Sequence, residues 1–340
     1  MLAFSASIQS DDFLQQFLSE FPLALAVLSV PVLLLYCTIY TFVKDCHALS
    51  VFLSIPTLAL FWLSPYVAPI HCGAARALLN FAIGAGTMKL LDVLARQNNF
   101  PQYTSGSRPP DWIYAMLILT ELRYESFAPN QIRIPVRLEP FSEPLQLLLH
   151  IAAFAALQAL PQVPPILSYE ILIAIYVIWT SMQLLLRYRS SPALFGPLYL
   201  ADSFAGFWTE TWHNAFAAPC KSLAYNPTHR IVLWLGLPRA AARSAGVLAS
   251  FMLMAIFHMH ALAPLLSYEG LKRIGLFFVG NGVLTVVEVI VWGRRKHWAR
   301  AAAAWIIQTA FASWVVMAIP FAHGLMELNW KEICRPKDYI

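Results

Sequence analysis

The sequence predicts an all-α fold, a polytopic integral membrane protein of about eight transmembrane helices with additional interfacial or re-entrant segments. Three observations predict it. Hydrophobic residues make up 59% of the 340 positions. Charged residues reach only 12%, against about 25% in an ordinary soluble chain. Mean hydropathy is +0.60. With 23 Lys and Arg plus 18 Asp and Glu, the chain has too few charges to coat a soluble protein of its length, so lipid must cover the rest.

A span needs about 20 apolar residues, because about 30 Å of hydrocarbon is crossed at about 1.5 Å per residue. Segments 23–43, 48–70, 246–266 and 301–321 contain no Asp, Glu, Lys or Arg, and 144–160 is uncharged though shorter. Segments 74–94 with Lys89 and Asp92, 166–186 with Glu170, and 274–292 with Glu288 complete the eight. Their ionisable groups lie mostly near one end, where snorkelling reaches the interface. The first twenty residues carry Asp11, Asp12 and Glu20 without a basic cluster, so the first apolar run is expected to be a retained anchor. The stretch from Trp112 to Leu122 is too short to cross, and with the mixed segment after it is expected to lie on the membrane. Turns are marked by Lys44-Asp45, by the proline-rich 161–165 and by 265–273. No internal repeat is visible, and residues 1–340 read as a single membrane domain.

Residues 187–245 break the pattern by mixing aromatics, prolines and charges without a twenty-residue apolar window. They read as a long cytosolic or interfacial loop, and loops of that length usually carry function. Its side follows from the basic residues. Connections 188–245 and 293–300 share a side and hold Arg189, Lys221, Arg230, Arg239, Arg243, Arg294, Arg295, Lys296 and Arg300. The opposite side holds Lys272, Arg273, Lys331, Arg335 and Lys337. The basic residues are scattered singly, which excludes nucleic acid as a partner. The five cysteines, Cys37, Cys46, Cys72, Cys220 and Cys334, form no CxxC pair, so neither a metal site nor a disulfide framework is expected.

Polar groups inside a span are expensive and are functional candidates. His258 lies about twelve residues into the uncharged span 246–266, hence near mid-membrane; it reads either as a base or as an imidazole bonded to a neighbouring helix. His260 follows two residues later. Neighbours at i and i+2 diverge by about 200° on a helix, so one histidine is expected to face the site while the other packs or caps. The second constellation is FWTETWHN at 207–214, in which Trp208 and Trp212 fall on one helical face beside His213 and Asn214. Its alternative reading is an aromatic anchor at the membrane interface.

Three passages resemble the wax-synthase-like branch of the membrane-bound O-acyltransferase superfamily, of the fungal secondary-metabolite acetyltransferase type. The run from Pro192 to Pro197 is similar to that family's proline-leucine-phenylalanine-glycine segment. Ser203 and the 207–214 run follow at the family's interval, although Thr209-Glu210-Thr211 replaces its usual glycine and basic residue. The helix from Ala249 to Ala261 resembles the one carrying the family's histidine, in a register that places His258 there.

The resemblance implies transfer of an acetyl group from acetyl-CoA, or of another acyl group from its CoA thioester, to a hydroxyl of a hydrophobic terpenoid, meroterpenoid or polyketide. A long-chain, wax-ester-type transfer is the alternative. His258 would be the base, with His213 or Asn214 stabilising the oxyanion. Trp208, Trp212, Lys221, Arg230 and His260 would contact CoA or substrate, with Arg239 and Arg243 also near the phosphates. No permanently bound cofactor or metal is implied, and the partners are acyl-CoA, a lipophilic alcohol and the bilayer, in the endoplasmic reticulum. The rival class is a transporter using Lys89, Asp92, Asn281 and Glu288 as a polar path, which the lack of two related halves disfavours. A prenyltransferase is disfavoured too, since the adjacent carboxylates Asp11-Asp12 lie outside the spans.

Overall fold

The computed structural model describes residues 2–132, 141–186, 192–293, 297–319 and 333–334. The elements are α1 (Leu2–Val43), α2 (His47–Val67), α3 (Gly73–Ala95), α4 (Asp111–Thr120), α5 (Glu143–Leu157), α6 (Pro164–Leu186), the short turns α7 (Phe204–Gly206) and α8 (Ala217–Pro219), then α9 (Asn226–Trp234), α10 (Arg239–Leu262), α11 (Tyr268–Trp292) and α12 (Trp298–Val316). Two two-residue strands, β1 (Gln102–Tyr103) and β2 (Phe127–Ala128), pair antiparallel. The chain is an all-α polytopic membrane protein.

Each of the eight predicted spans is a helix, but among the described residues six are long and apolar enough to cross: the Phe13–Val43 part of α1, α2, α3, α6, α10 and α11. The other two fall short for different reasons. Helix α5 has 15 residues, about 22 Å of rise. Helix α12 has 19 residues, but Arg300, Gln308, Thr309 and Ser313 dilute its apolar content. Residues 320 and 321 of the predicted last span lie outside the described residues.

Helix α3 is central. It packs on α1, α2 and α10, and 56% of its span is buried, against 22–33% of the other five. Its small residues, including Ala75, Ala77, Gly84 and Ala85, let neighbouring backbones approach, which is how helices associate where lipid removes the hydrophobic drive. Helices α10 and α11 form a hairpin, as do α5 and α6, and α12 packs on α6. Helix α4 stays beside α1, held by the Lys44–Asp111 ion pair at 2.6 Å and by Tyr36 Oη donating to the Trp112 carbonyl.

The ionisable groups at membrane depth are mostly bonded across elements. Asp92 accepts from Arg96 Nε at 2.6 Å, from Tyr124 Oη at 2.6 Å and from Ser222 Oγ. Lys89 Nζ donates to the Glu121 carbonyl at 2.9 Å and lies 3.9 Å from the centre of the Tyr124 ring. Glu288 accepts the Phe204 and Ala205 N–H groups at 2.9 and 3.0 Å and pairs with Arg300 at 3.0 Å. These bonds fix the 192–225 stretch against the helices.

The cysteine expectation is corrected. Cys72 and Cys334 form a disulfide across a sequence separation of 262 residues. No local spacing announces such a pair, because only the folded chain brings the C-terminal segment to the start of α3. Cys37, Cys46 and Cys220 are free.

Candidate active site

The segment between α6 and α10 is a string of short helical pieces rather than open coil. Ser203 caps α7 by accepting the Gly206 N–H at 2.9 Å. Phe207–Thr211 and Cys220–Tyr225 are both π-helical. Such wide turns concentrate at functional sites because they re-aim side chains within a helix. Gly196 gives its N–H to the Thr211 carbonyl at 2.9 Å. A Cβ there would stand 2.5 Å from the Glu210 carbonyl oxygen, so the close approach of these two passages requires glycine.

Trp208 and Trp212 meet edge to face, with ring centres 6.1 Å apart, so the expected pairing holds on a π turn. The Trp208 Nε1–H donates to Asn281 Oδ1 at 3.1 Å, which fixes the indole between α10 and α11. His213 lies among Trp212, Phe195, Trp179 and Phe216. Asn214 is held at both ends of its amide: Oδ1 accepts from Arg123 at 3.2 Å and Nδ2 donates to the Gln131 carbonyl at 2.8 Å.

Helix α10 begins seven residues before the predicted span, so His258 is its twentieth residue and lies nearer the C-terminal end than expected. Its Nδ1 is 2.8 Å from the Met254 carbonyl. A carbonyl oxygen only accepts, so Nδ1 carries the proton and Nε2 keeps a lone pair. The ring stacks on Phe278, centres 4.2 Å apart. His260 turns the other way, against Trp62 at 4.8 Å, while its carbonyl accepts from Asn80 on α3. The predicted divergence of the two histidines is therefore observed. His260 Nε2 is buried without a hydrogen-bond partner.

The structure brings His258, Trp208, Trp212 and His213 into one aromatic assembly. Ring contacts run from His258 through Phe278, Trp208 and Trp212 to His213, and return through Phe216 and Phe257 to His258. Lys221, Arg230, Arg239 and Arg243 lie outside it, exposed. Burial pushes the Cys220 thiol up to about 12, so a thiolate nucleophile is not available there. Among the described residues no three His, Cys, Asp or Glu side chains gather as metal ligands.

Sequence reasoning missed Arg123. It is buried and holds the Pro192 and Ala193 carbonyls as well as Asn214, so it ties the two motif passages together. It sits in the segment expected to lie on the membrane, whose mixed composition hid a buried guanidinium. The available signal was the alternation of Glu121, Arg123 and Glu125 with Leu122 and Tyr124 directly after an apolar helix.

Residues 191–280 match the model of the Membrane bound O-acyl transferase family. Three curated proteins of Arabidopsis thaliana are similar over part of their length. Probable long-chain-alcohol O-fatty-acyltransferase 1 is 29% identical over 107 residues, covering 32% of this chain and 30% of the relative. Probable long-chain-alcohol O-fatty-acyltransferase 7 is 27% identical over 139 residues, 40% of each chain. Probable long-chain-alcohol O-fatty-acyltransferase 9 is 32% identical over 97 residues, 28% of each. The matched stretch thus spans well under half of each relative. No solved structure matches. The passage that carries both His213 and His258 is therefore the part of this chain that is similar to the membrane bound O-acyl transferase family.

Proposed function

We propose that the chain is a membrane O-acyltransferase that moves an acetyl group from acetyl-CoA to a hydroxyl of a lipid-soluble terpenoid or polyketide alcohol, in the endoplasmic reticulum. The observation that carries the reading is the tautomer of His258. With Nδ1–H given to the Met254 carbonyl, Nε2 is a fixed acceptor within an aromatic enclosure. In this mechanism the alcohol oxygen attacks the thioester carbonyl while Nε2 takes its proton. The tetrahedral intermediate then expels the CoA thiolate, which recovers that proton. General-base help of this kind contributes about 10²- to 10⁴-fold. We assign the oxyanion to His213 ahead of Asn214, whose amide is already shared between Arg123 and Gln131. Direct transfer needs no acyl-enzyme, in keeping with the inert Cys220 thiol.

Orientation follows from the cysteines. The disulfide lies at the N-terminal end of α3, whereas Ser222 and the Ala218 carbonyl bond Asp92 and Arg96 at its C-terminal end. Disulfides persist in oxidising compartments. The Cys72 end then faces the lumen. The opposite end, with free Cys46 and Cys220 and exposed Lys221, Arg230, Arg239 and Arg243, faces the cytosol. Those cations suit the phosphates of CoA, and the alcohol enters laterally from lipid.

The names of the Arabidopsis relatives favour a second reading, a fatty acyl donor and a long-chain alcohol. Microsomes carrying the protein, given labelled acetyl-CoA or long-chain acyl-CoA with terpenoid and fatty alcohols, separate the two. Ester formed from acetyl-CoA and lost in His258→Ala at equal expression supports the first. Ester from long-chain donors alone replaces it with the second. No ester from any pair overturns both.

A further inference from the structure

The inner face of α10 places Phe251, Met254 and His258 three and four residues apart, hence in one row. Opposite that row, Trp208 contacts Phe251 at 5.3 Å and Phe278 at 6.0 Å, and Phe278 covers His258 at 4.2 Å. Met254 is the residue of the row without a ring, and it sits between the two that have one. It packs against both the core cluster around Phe257 and Phe216 and the cluster around Phe278 and Leu266. The wall behind it does not yield readily. Trp208 is pinned to Asn281, and α10 and α11 approach so closely at Gly282 that a Cβ there would lie 2.9 Å from the Phe251 side chain. Met252 and Ile256, by contrast, are 47% and 60% exposed, which makes the opposite side of α10 its lipid side.

Resting on the acyltransfer reading, we infer that Met254 sets the length of acyl chain that the donor can carry. The carbonyl under attack must stand beside His258 Nε2, so the chain attached to it needs room next to that ring. The acceptor arrives from the lipid side, which leaves the interior space between α10, α11 and Trp208 for the acyl chain. The Met254 thioether fills that space. An acetyl group is short enough to be taken without displacing it, whereas each further methylene competes with a side chain packed against the clusters around Phe257 and Phe278. Met254 is thus a specificity-determining residue, and its backbone carbonyl, which orients His258, survives any side-chain substitution.

The test is a donor series from acetyl-CoA to octanoyl-CoA with one acceptor alcohol, run on the full-length protein in microsomes as wild type, Met254→Ala and Met252→Ala. The readout is the ratio of octanoyl to acetyl transfer within one preparation, which does not depend on how much protein folds. Wild type is expected to favour acetyl. Met254→Ala is expected to raise the ratio by about tenfold or more, the order of discrimination that methylenes carry in an apolar pocket, and Met252→Ala to leave it unchanged. An unchanged ratio in Met254→Ala overturns the inference while leaving the acyltransfer reading intact. So does a wild type that uses octanoyl-CoA as readily as acetyl-CoA, or an equal rise in Met252→Ala. A wild type that transfers from no donor removes the acyltransfer reading and this inference with it. If Met254→Ala yields no active protein, Met254→Val in the same series must show a smaller rise, and an unchanged ratio there also overturns the proposal.

Discussion

Two buried regions treat their polar groups in opposite ways. Around the C-terminal half of α3, Asp92 accepts three bonds, Arg96 reaches a second partner at the Ala218 carbonyl, and Lys89 is held by a carbonyl and an aromatic face. At the C-terminal end of α10, His258 has one nitrogen committed and His260 has a buried nitrogen with no partner. The first arrangement is a set of satisfied fasteners; the second keeps capacity in hand. An open bond does not by itself mark chemistry, since Thr87, Glu170 and Thr285 also keep a buried oxygen without a hydrogen-bond partner; what sets His258 apart is its place in the aromatic assembly. Lys89, Asp92, Asn281 and Glu288, once grouped by their bonds, lose the appearance of a transport path.

The largest test of this contrast is His258→Ala, expected to lower acyl transfer by about 10²- to 10⁴-fold with little change in folding. The measurement is ester formation per unit of detergent-extracted, monodisperse protein; a fall in yield that matches the fall in activity would place His258 with the fasteners. Next comes Asp92→Ala, which leaves the buried Arg96 unpaired and is expected to cost about 3–5 kcal/mol of stability. That loss should be seen as a lower unfolding temperature in detergent, with the protein that remains folded still active. His213→Ala is expected to lower kcat by the equivalent of about 2.7–4 kcal/mol, the typical worth of one oxyanion donor. The comparison with Asn214→Ala sharpens the assignment, since the asparagine should act through stability by releasing Arg123 and Gln131. The smallest effect belongs to Trp208→Phe, which keeps an aromatic face, though a smaller one, but loses the bond to Asn281; the lost bond should cost about 0.5–1.5 kcal/mol, again read as a shift in unfolding temperature.

Much of the fold was legible because the bilayer imposes its own period. All eight apolar windows fall on helices, with ends that differ by no more than 7 residues except at α1, which starts 21 residues before its window (23 − 2); some helices stop short of their windows and others continue past them, as α10 does through Arg239 and Arg243. The two histidines were found by their cost, and their divergence followed from helical geometry alone. The partners that decide their roles were not legible. The carbonyl of Met254 is local, but the Phe278 ring arrives from the next helix and Trp62 from 198 residues earlier in the chain (260 − 62).

The sequence by itself determined that this chain crosses a membrane, where its apolar helices lie, and which aromatic and histidine passages carry the family resemblance. These are properties of composition, spacing and helical pitch, and each is contained in a short window. Only the tertiary structure decided that Arg123 locks the two motifs together, that Cys72 meets Cys334, and that His258 rather than His260 faces the aromatic assembly. In a helix that is apolar all round, periodicity does not mark the inward face. Which side chain meets which is fixed by packing between distant segments.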